Sequence, residues 1–233
     1  VSAPVVRRIA SAEFAVVAAD WPMARARRSE IDAHFARLKR DRPKLWNGKV
    51  LVARDVELVG DRLTGHAFET DFASFQWWLG TGFPDPAIRN IFGMAVVRGA
   101  DGGFLLGVMG GHTANAGSVY FPSGTPDPGD ISGGRLDLAG SVVRELKEET
   151  GLEAAAFVAE PGWTVVLDGP RVALMRTFLA DEASGLLVAR ARAFIAADPG
   201  AELADVIAVH GIDDLPPVAP AFVRAFLESR LAD

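Results

Sequence analysis

Two hydrophobic periods divide this chain. In four stretches apolar residues recur at three- and four-residue spacing, and short apolar or alternating runs fill the intervals between them. Ala139, Val142, Val143 and Leu146 form one helical stripe. Asp137 precedes it as a candidate N-cap, and Gly151 follows it, a residue suited to the left-handed position after a helix. Residues 22–41 carry Ile31, Phe35 and Leu38 on one face, ringed by arginines and lysines that read as a solvated surface. Residues 183–197 and 220–231 repeat the pattern, the last with Phe222, Val223, Phe226 and Leu227.

The strand-like runs lie between and before these helices. Residues 9–19 suggest an early strand. Residues 49–58 and 62–69 form a hairpin candidate through Gly60-Asp61 after a turn at Asn47-Gly48. Residues 92–97 and 104–109 flank a glycine-rich turn at 99–103, and 119–122, 157–159, 163–168, 172–180 and 203–209 follow. Interleaved strands and helices predict layered α/β packing. Phe72, Phe75, Trp77, Trp78 and Leu79 concentrate aromatic mass in one segment, which reads as core or interface in preference to a base-stacking platform.

One polar pattern does not fit a solvated surface. Glu145, Glu148 and Glu149 stand at i, i+3 and i+4 on the predicted helix, where like charges repel. Arg144 and Lys147 could offset them as ordinary counter-charges, but the carboxylates fall largely off the apolar stripe and within one turn. A divalent cation would turn that repulsion into binding, since hard cations take oxygen ligands and share them with substrate phosphates.

The run Arg144-Glu145-Leu146-Lys147-Glu148-Glu149-Thr150-Gly151-Leu152 resembles the second half of the Nudix signature, G-x5-E-x7-R-E-U-x-E-E-x-G-U with U a bulky aliphatic residue, and matches it without a gap. The first half departs from it. Gly124, five residues and Asp130 fit G-x5-E with Asp for Glu, but thirteen residues separate Asp130 from Arg144 where the family has seven. The extra residues fit in 131–136, where Gly133-Gly134 reads as a turn. A second register puts Leu136 at the Glu position and loses that carboxylate. The resemblance implies a Nudix α/β/α sandwich with a mixed sheet over residues 91–233, and an N-terminal α+β extension or subdomain over 1–90.

It also implies a chemistry: hydrolysis of a nucleoside diphosphate linked to another moiety, with Mg²⁺ or Mn²⁺ as cofactor. Metal ions held by Glu145, Glu148 and Glu149 would neutralise the diphosphate and activate water. Glu145 would be ligand or base, and Arg144 would orient the carboxylates. Gly124 would let the backbone approach closely. The family draws a further carboxylate from a downstream loop. Glu202 is the candidate by position, with Asp205 and then Glu160 behind it. His112 and Asn115 lie in the polar loop 110–117 before the signature, where substrate contacts are expected.

The substrate class is less specified. Leu105-Leu106 and Gly117-x3-Phe121-Pro122 are similar to coenzyme A diphosphatases of the family, but Met109 and Thr113 stand where their arginines would be. Residues 43–49 and 75–81 look like the N-terminal part of members that cleave nucleoside diphosphate sugars. A nucleotide sugar or an ADP-ribose-like compound is therefore the expected substrate. A Nudix-fold module that binds nucleotides without turnover remains the reading from another class, and a partner-binding role for the aromatic segment is a third.

Composition narrows the partners. The chain of 233 residues has 49% hydrophobic residues, a net charge of −6 and no cysteine. Disulfides, thiolate metal sites and cysteine nucleophiles are excluded. The acidic balance argues against a nucleic-acid partner, but not against a small phosphorylated ligand, whose charge a metal can neutralise locally. With no apolar run long enough for a membrane span and no secretory-signal pattern, a cytoplasmic protein is expected. Dimers are common in the family, so a homodimer through the extension is expected by analogy.

Overall fold

The computed structural model describes residues 3–43, 45–113 and 115–231. Lys44 of the 43–49 segment and Ala114 of the 110–117 loop lie outside them. In chain order the strands are β1 (Val5–Ile9), β2 (Ser11–Val16), β3 (Lys49–Val59), β4 (Arg62–Asp71), β5 (Asn90–Arg98), β6 (Phe104–Met109), β7 (Val119–Tyr120), β8 (Ile131–Ser132), β9 (Arg135–Leu136), β10 (Val158–Ala159), β11 (Trp163–Asp168), β12 (Arg171–Leu179) and β13 (Leu203–Val209). The helices are α1 (Pro22–Ala26), α2 (Arg28–Asp41), α3 (Phe72–Gly80), α4 (Leu138–Thr150), α5 (Ser184–Ala197) and α6 (Ala221–Leu231).

Two mixed sheets result. The larger runs β1-β11-β12-β5-β6-β13, with β10 on β12 and β7 on β6; the smaller runs β3-β4-β2-β9-β8. Each contains one parallel pair, β12 with β5 and β2 with β4. Strand β5 shows how the layers are set. Gly93 faces α4 so closely that a Cβ there would overlap Val142. Phe92, on the opposite face by the twofold alternation of a strand, meets Phe222 of α6 edge-on at 5.4 Å between centroids. The sheet is thus covered by helix on both faces, the layered α/β arrangement that the pattern predicts.

The first strand and helix differ in detail from expectation. Residues 9–19 split at Ala10, whose N–H donates to Asp61 O at 2.7 Å; β1 then pairs with β11 in the larger sheet and β2 with β4 in the smaller. Residues 22–41 break at Arg27, whose φ −104° and ψ 18° leave helical geometry, giving α1 and α2. The aromatic segment is helix α3, capped by Asp71, whose side chain accepts from Ser74 N–H at 3.0 Å.

Strand β3 ties the two regions together. Leu51 and Ala53 enter the main core and Val50 and Val52 a second core, where Trp78, Phe75, Ile31 and Phe35 are buried. In the second core Trp78 meets Trp21 edge-on at 6.2 Å and Phe83 at 4.8 Å. Most of the aromatic mass of α3 is therefore core, as expected, and Phe72 and Leu79 are the partly buried exceptions.

The extra residues of the motif are a hairpin. Strands β8 and β9 pair through Gly133 and Gly134 at φ +57° and +76°, a turn glycine makes without strain. Strand β9 then joins the smaller sheet through Ala15↔Arg135, and Arg135 Nη1 donates to Glu13 at 2.7 Å. At its base Asp137 N–H donates to Asp130 O at 2.7 Å, so the insertion leaves and returns at one point.

Candidate active site

Helix α4 positions the acidic residues. Asp137 accepts from Gly140 N–H at 2.9 Å at one end; Gly151 at φ +69° ends the helix at the other, its N–H on Lys147 O at 2.8 Å. With Val142 and Leu146 fully buried against the sheet, positions 145 and 149 lie along the flank, one turn apart. The trio divides accordingly: the Glu145 side chain is 12% exposed and Glu149 is 6% exposed, whereas the Glu148 side chain is 58% exposed.

Arg144 links the halves of the motif. Its guanidinium reaches Asp130 at 2.8 Å, Glu145 at 2.8 Å and Glu148 at 3.2 Å. Asp130 is buried and also accepts from Asp127 N–H at 3.0 Å. Of the two registers, the structure therefore puts Asp130 opposite Arg144, while Leu136 is buried in the main core. Burial works against the charge of Arg144, but the hydrogen bond to Asp130 and the charges of Glu145, Asp130 and Glu148 raise its pKa, so it stays a cation.

Glu145, half-buried, and Glu149, buried, have the opposite character. Burial, with Glu148, Glu202 and Asp130 adding repulsion against the pull of Arg144, raises Glu145 to about 7. Burial and the charges of Glu145 and Glu202 raise Glu149 to about 9, although Ser123 N–H donates to its Oε2 at 3.2 Å. Glu149 Oε1 is buried with no partner, an arrangement that costs about 1–3 kcal/mol unless something else satisfies it. A Cβ on Gly124 would overlap the Glu145 carboxylate, so glycine is required for that approach.

Among the described residues no three His, Asp or Glu side chains converge closely enough to enclose an ion. The donor set nonetheless fits a hard cation: oxygen donors, two of them desolvated and repelling each other, one oxygen orphaned. Glu202 is exposed, but its charge is felt at Glu145, Glu149 and Tyr120, and its carbonyl accepts from Gly110 N–H at 2.7 Å. The alternatives are engaged elsewhere: Asp205 with Arg192 at 2.6 Å, and Glu160 with Arg8 at 2.9 Å and Arg230 at 2.7 Å.

A cavity of about 660 Å³ opens beside Ser123 and Gly124, in the size range of small-molecule sites. Asn115 lines it and donates from Nδ2 to the Tyr120 hydroxyl at 3.1 Å. His112 is exposed and is not among the lining residues. The sequence pattern did not single out Tyr120, Asp168 or Arg171, which the fold brings to this cavity. Burial, with Glu149, Glu202 and Glu145 nearby, raises Tyr120 to about 12. Its only sequence signal was its place just before Phe121-Pro122.

No family model matches the chain, and no curated protein matches it. Solved structures do show similarity. RenU, a Nudix hydrolase from M. smegmatis, aligns with a TM-score of 0.39 at 16% identity, over 61% of this chain and 83% of that one. A putative nudix hydrolase family member from Chromobacterium violaceum aligns at 0.39 and 15%, over 60% and 76%. The MutT protein from Methanosarcina mazei Go1 aligns at 0.36 and 22%, over 61% and 92%. The chain is similar to these proteins. At such scores its function rests on its own residues.

Proposed function

We propose that this protein is a divalent-metal-dependent pyrophosphohydrolase of the Nudix type, acting on a nucleoside diphosphate linked to another moiety. The observation that carries the reading is the pair Glu145 and Glu149: a half-buried and a buried carboxylate one turn apart, the second with an oxygen left unpaired. Neither burial nor mutual repulsion favours such a pair in the protein by itself. Arg144 offsets Glu145 only, and a bound cation would satisfy the Glu149 oxygen and offset the remaining repulsion.

In this reading Glu149 and Glu145 would hold the metal, and the exposed Glu148 and Glu202 are the further carboxylates whose charge reaches them. Bound Mg²⁺ or Mn²⁺ would neutralise the diphosphate and make a water molecule more acidic. Ser123 N–H holds Glu149 Oε2, which leaves Oε1 as the oxygen that would bind a cation. Arg144, itself anchored by Asp130, fixes Glu145. Glu145, held by Arg144, would take the proton of the attacking water as the new P–O bond forms and the anhydride P–O bond breaks, releasing two phosphorylated products. The nucleotide sugar or ADP-ribose-like class is the substrate proposal, because a cavity larger than a diphosphate adjoins the carboxylates.

The test is a panel of nucleoside diphosphate derivatives with Mg²⁺ or Mn²⁺, read by mass spectrometry in heavy-oxygen water. We expect cleavage of at least one compound, one heavy oxygen in one phosphate product, and a loss of about 100-fold or more in Glu149→Gln. Binding without turnover, unchanged in Glu149→Gln, would establish the non-catalytic nucleotide module instead.

A further inference from the structure

The basic run over residues 25–49 has two halves of different character. In the first, each guanidinium has a carboxylate. Arg25 reaches Asp20 at 2.8 Å, Arg27 reaches Glu30 at 2.7 Å, and Arg28 reaches Asp32 at 2.8 Å and Asp71 at 3.0 Å. In the second, Arg37 has the His34 ring beside it at 3.3 Å. Among the described residues Arg37, Lys39, Arg40 and Arg42 have no carboxylate within ion-pair reach.

The sign of the charge is local. The whole chain has a net charge of −6, yet residues 37–49 hold six cations and one carboxylate, Asp41. Lys49 pairs with Glu69. A helix C-terminus favours cations in its last turn, which accounts for Lys39 and Arg40. It does not account for Arg42 and Lys49, which lie beyond the helix, or for the aromatic residue between them.

That residue is Trp46. It is 81% exposed, whereas the other four tryptophans are at most 6% exposed. Leu45 before it packs against the second core. The indole lies over Gly48, where a Cβ would stand 3.1 Å from its Cδ1, and Gly48 O accepts from Phe72 N–H at 2.8 Å. The ring therefore stands in solvent on backbone fixed on either side. The inner side of α2 is occupied, with Ile31 and Phe35 in the second core. Arg37 and Arg40, three residues apart, share its outer face.

An exposed indole among unanswered cations suits a lipid headgroup layer, where the ring takes the interface and the cations meet anionic groups. A single-stranded nucleic acid offers the same charge, but its binders stack successive bases on several rings along a groove. Here one ring stands out.

We propose that the C-terminal end of α2 and the Trp46 that follows it form a docking surface for an anionic lipid bilayer, with Trp46 at headgroup depth and Arg37, Lys39, Arg40 and Arg42 on the lipid anions. The acidity of the rest of the chain turns this face towards such a surface. The attachment is reversible and salt-sensitive, each cation near the surface counting for about fivefold in partition. It does not depend on the pyrophosphohydrolase reading.

The full chain would be sedimented with vesicles of phosphatidylcholine alone or with about one-third phosphatidylserine. We expect binding to the anionic vesicles only, lost at an ionic strength of about 0.5 M. Because the other four tryptophans are buried, acrylamide quenching of the free protein reads Trp46, and it should fall on the vesicles. Arg37→Gln with Arg40→Gln should cut partition about 25-fold, two cations at fivefold each, and Lys39→Gln with Arg42→Gln should act alike. Trp46→Ala should weaken binding and leave its salt dependence in place. Thermal melts check that these substitutions spare the fold. Equal binding to neutral vesicles, none to anionic ones, or an indole still quenched on them overturns the docking surface. Tighter binding to a single-stranded oligonucleotide than to anionic vesicles, lost in the same variants, overturns it in favour of nucleic acid.

Discussion

At the scale of single residues, the chemistry of this protein is concentrated in carboxyl groups that burial has made reluctant to ionise. Glu145 at about 7 and Glu149 at about 9 both lie above the ordinary 4.5. The folded state then holds protons that the unfolded state has released. Stability of the metal-free protein is full below the unfolded pKa and falls as pH rises through 4.5 towards 9. We expect the melting temperature of the metal-free chain to drop from pH 5 to pH 9. Glu149→Gln, which cannot ionise, should flatten much of that slope. Adding Mg²⁺ or Mn²⁺ should restore stability most at the alkaline end, since the cation binds the ionised form, and should do so far less in the variant. Differential scanning fluorimetry across pH checks all three. A wild-type profile without slope would mean that both groups are ionised and satisfied without metal.

At the scale of elements, the inserted hairpin is the test of how the motif is built. Asp137 N–H bonds to Asp130 O, so residues 131–136 depart from and return to one hydrogen-bonded pair. Deleting them leaves seven residues, 137–143, between Asp130 and Arg144. That is the spacing of the signature that the sequence resembles. The Asp130–Arg144 pair should survive, and cleavage of any substrate found should stay within about threefold of wild type. The loss should appear as stability, because β9 no longer pairs with β2 and Leu136 leaves the core. Thermal melts and steady-state rates on the deletion variant separate the two effects; a collapse of kcat with unchanged melting would show that the hairpin orders the site.

The same elements show what the sequence makes legible. Helix α4 was readable end to end, because its cap, stripe and stop are local signals. So were the hairpin of β3 and β4 and the strands β5, β6, β11 and β13, whose alternation or apolar runs are unambiguous. The break at Arg27 was not: the Ile31, Phe35 and Leu38 stripe continues the period but says nothing of the turn before it. Nor was the split at Ala10, which depends on a carbonyl from Asp61, fifty-one residues away in sequence. At the site, Glu145, Glu149, Arg144 and Gly124 were legible because they share a motif. Asp168, Arg171 and Phe92 were not, since each looks like an ordinary strand residue until β12 is laid beside β5.

At the scale of the whole molecule, the first ninety residues and the rest share both sheets and the main core. Strand β1 covers the edge of β11, and β8 and β9 complete the smaller sheet. Phe14, Leu51 and Leu63 are buried among the residues of the larger sheet. Removing residues 1–90 would uncover that apolar surface and leave β11 as an unpaired edge, a combination that promotes association between chains. We expect the fragment 91–233 to elute as aggregate on size exclusion and to lose the near-ultraviolet circular dichroism of a packed core. A monomeric, folded fragment with the cleavage rate of the full chain would show that the extension is an appendage. The packing argues otherwise. The strand that covers β11 and the helix that walls the cavity come from the same ninety residues, so change in α3 is tied to the stability of the sheet beside it. Of the α3 residues at the cavity, Phe72 and Leu79 can be substituted at least cost in stability, because both are only partly buried, whereas Phe75, Trp77 and Trp78 hold the second core.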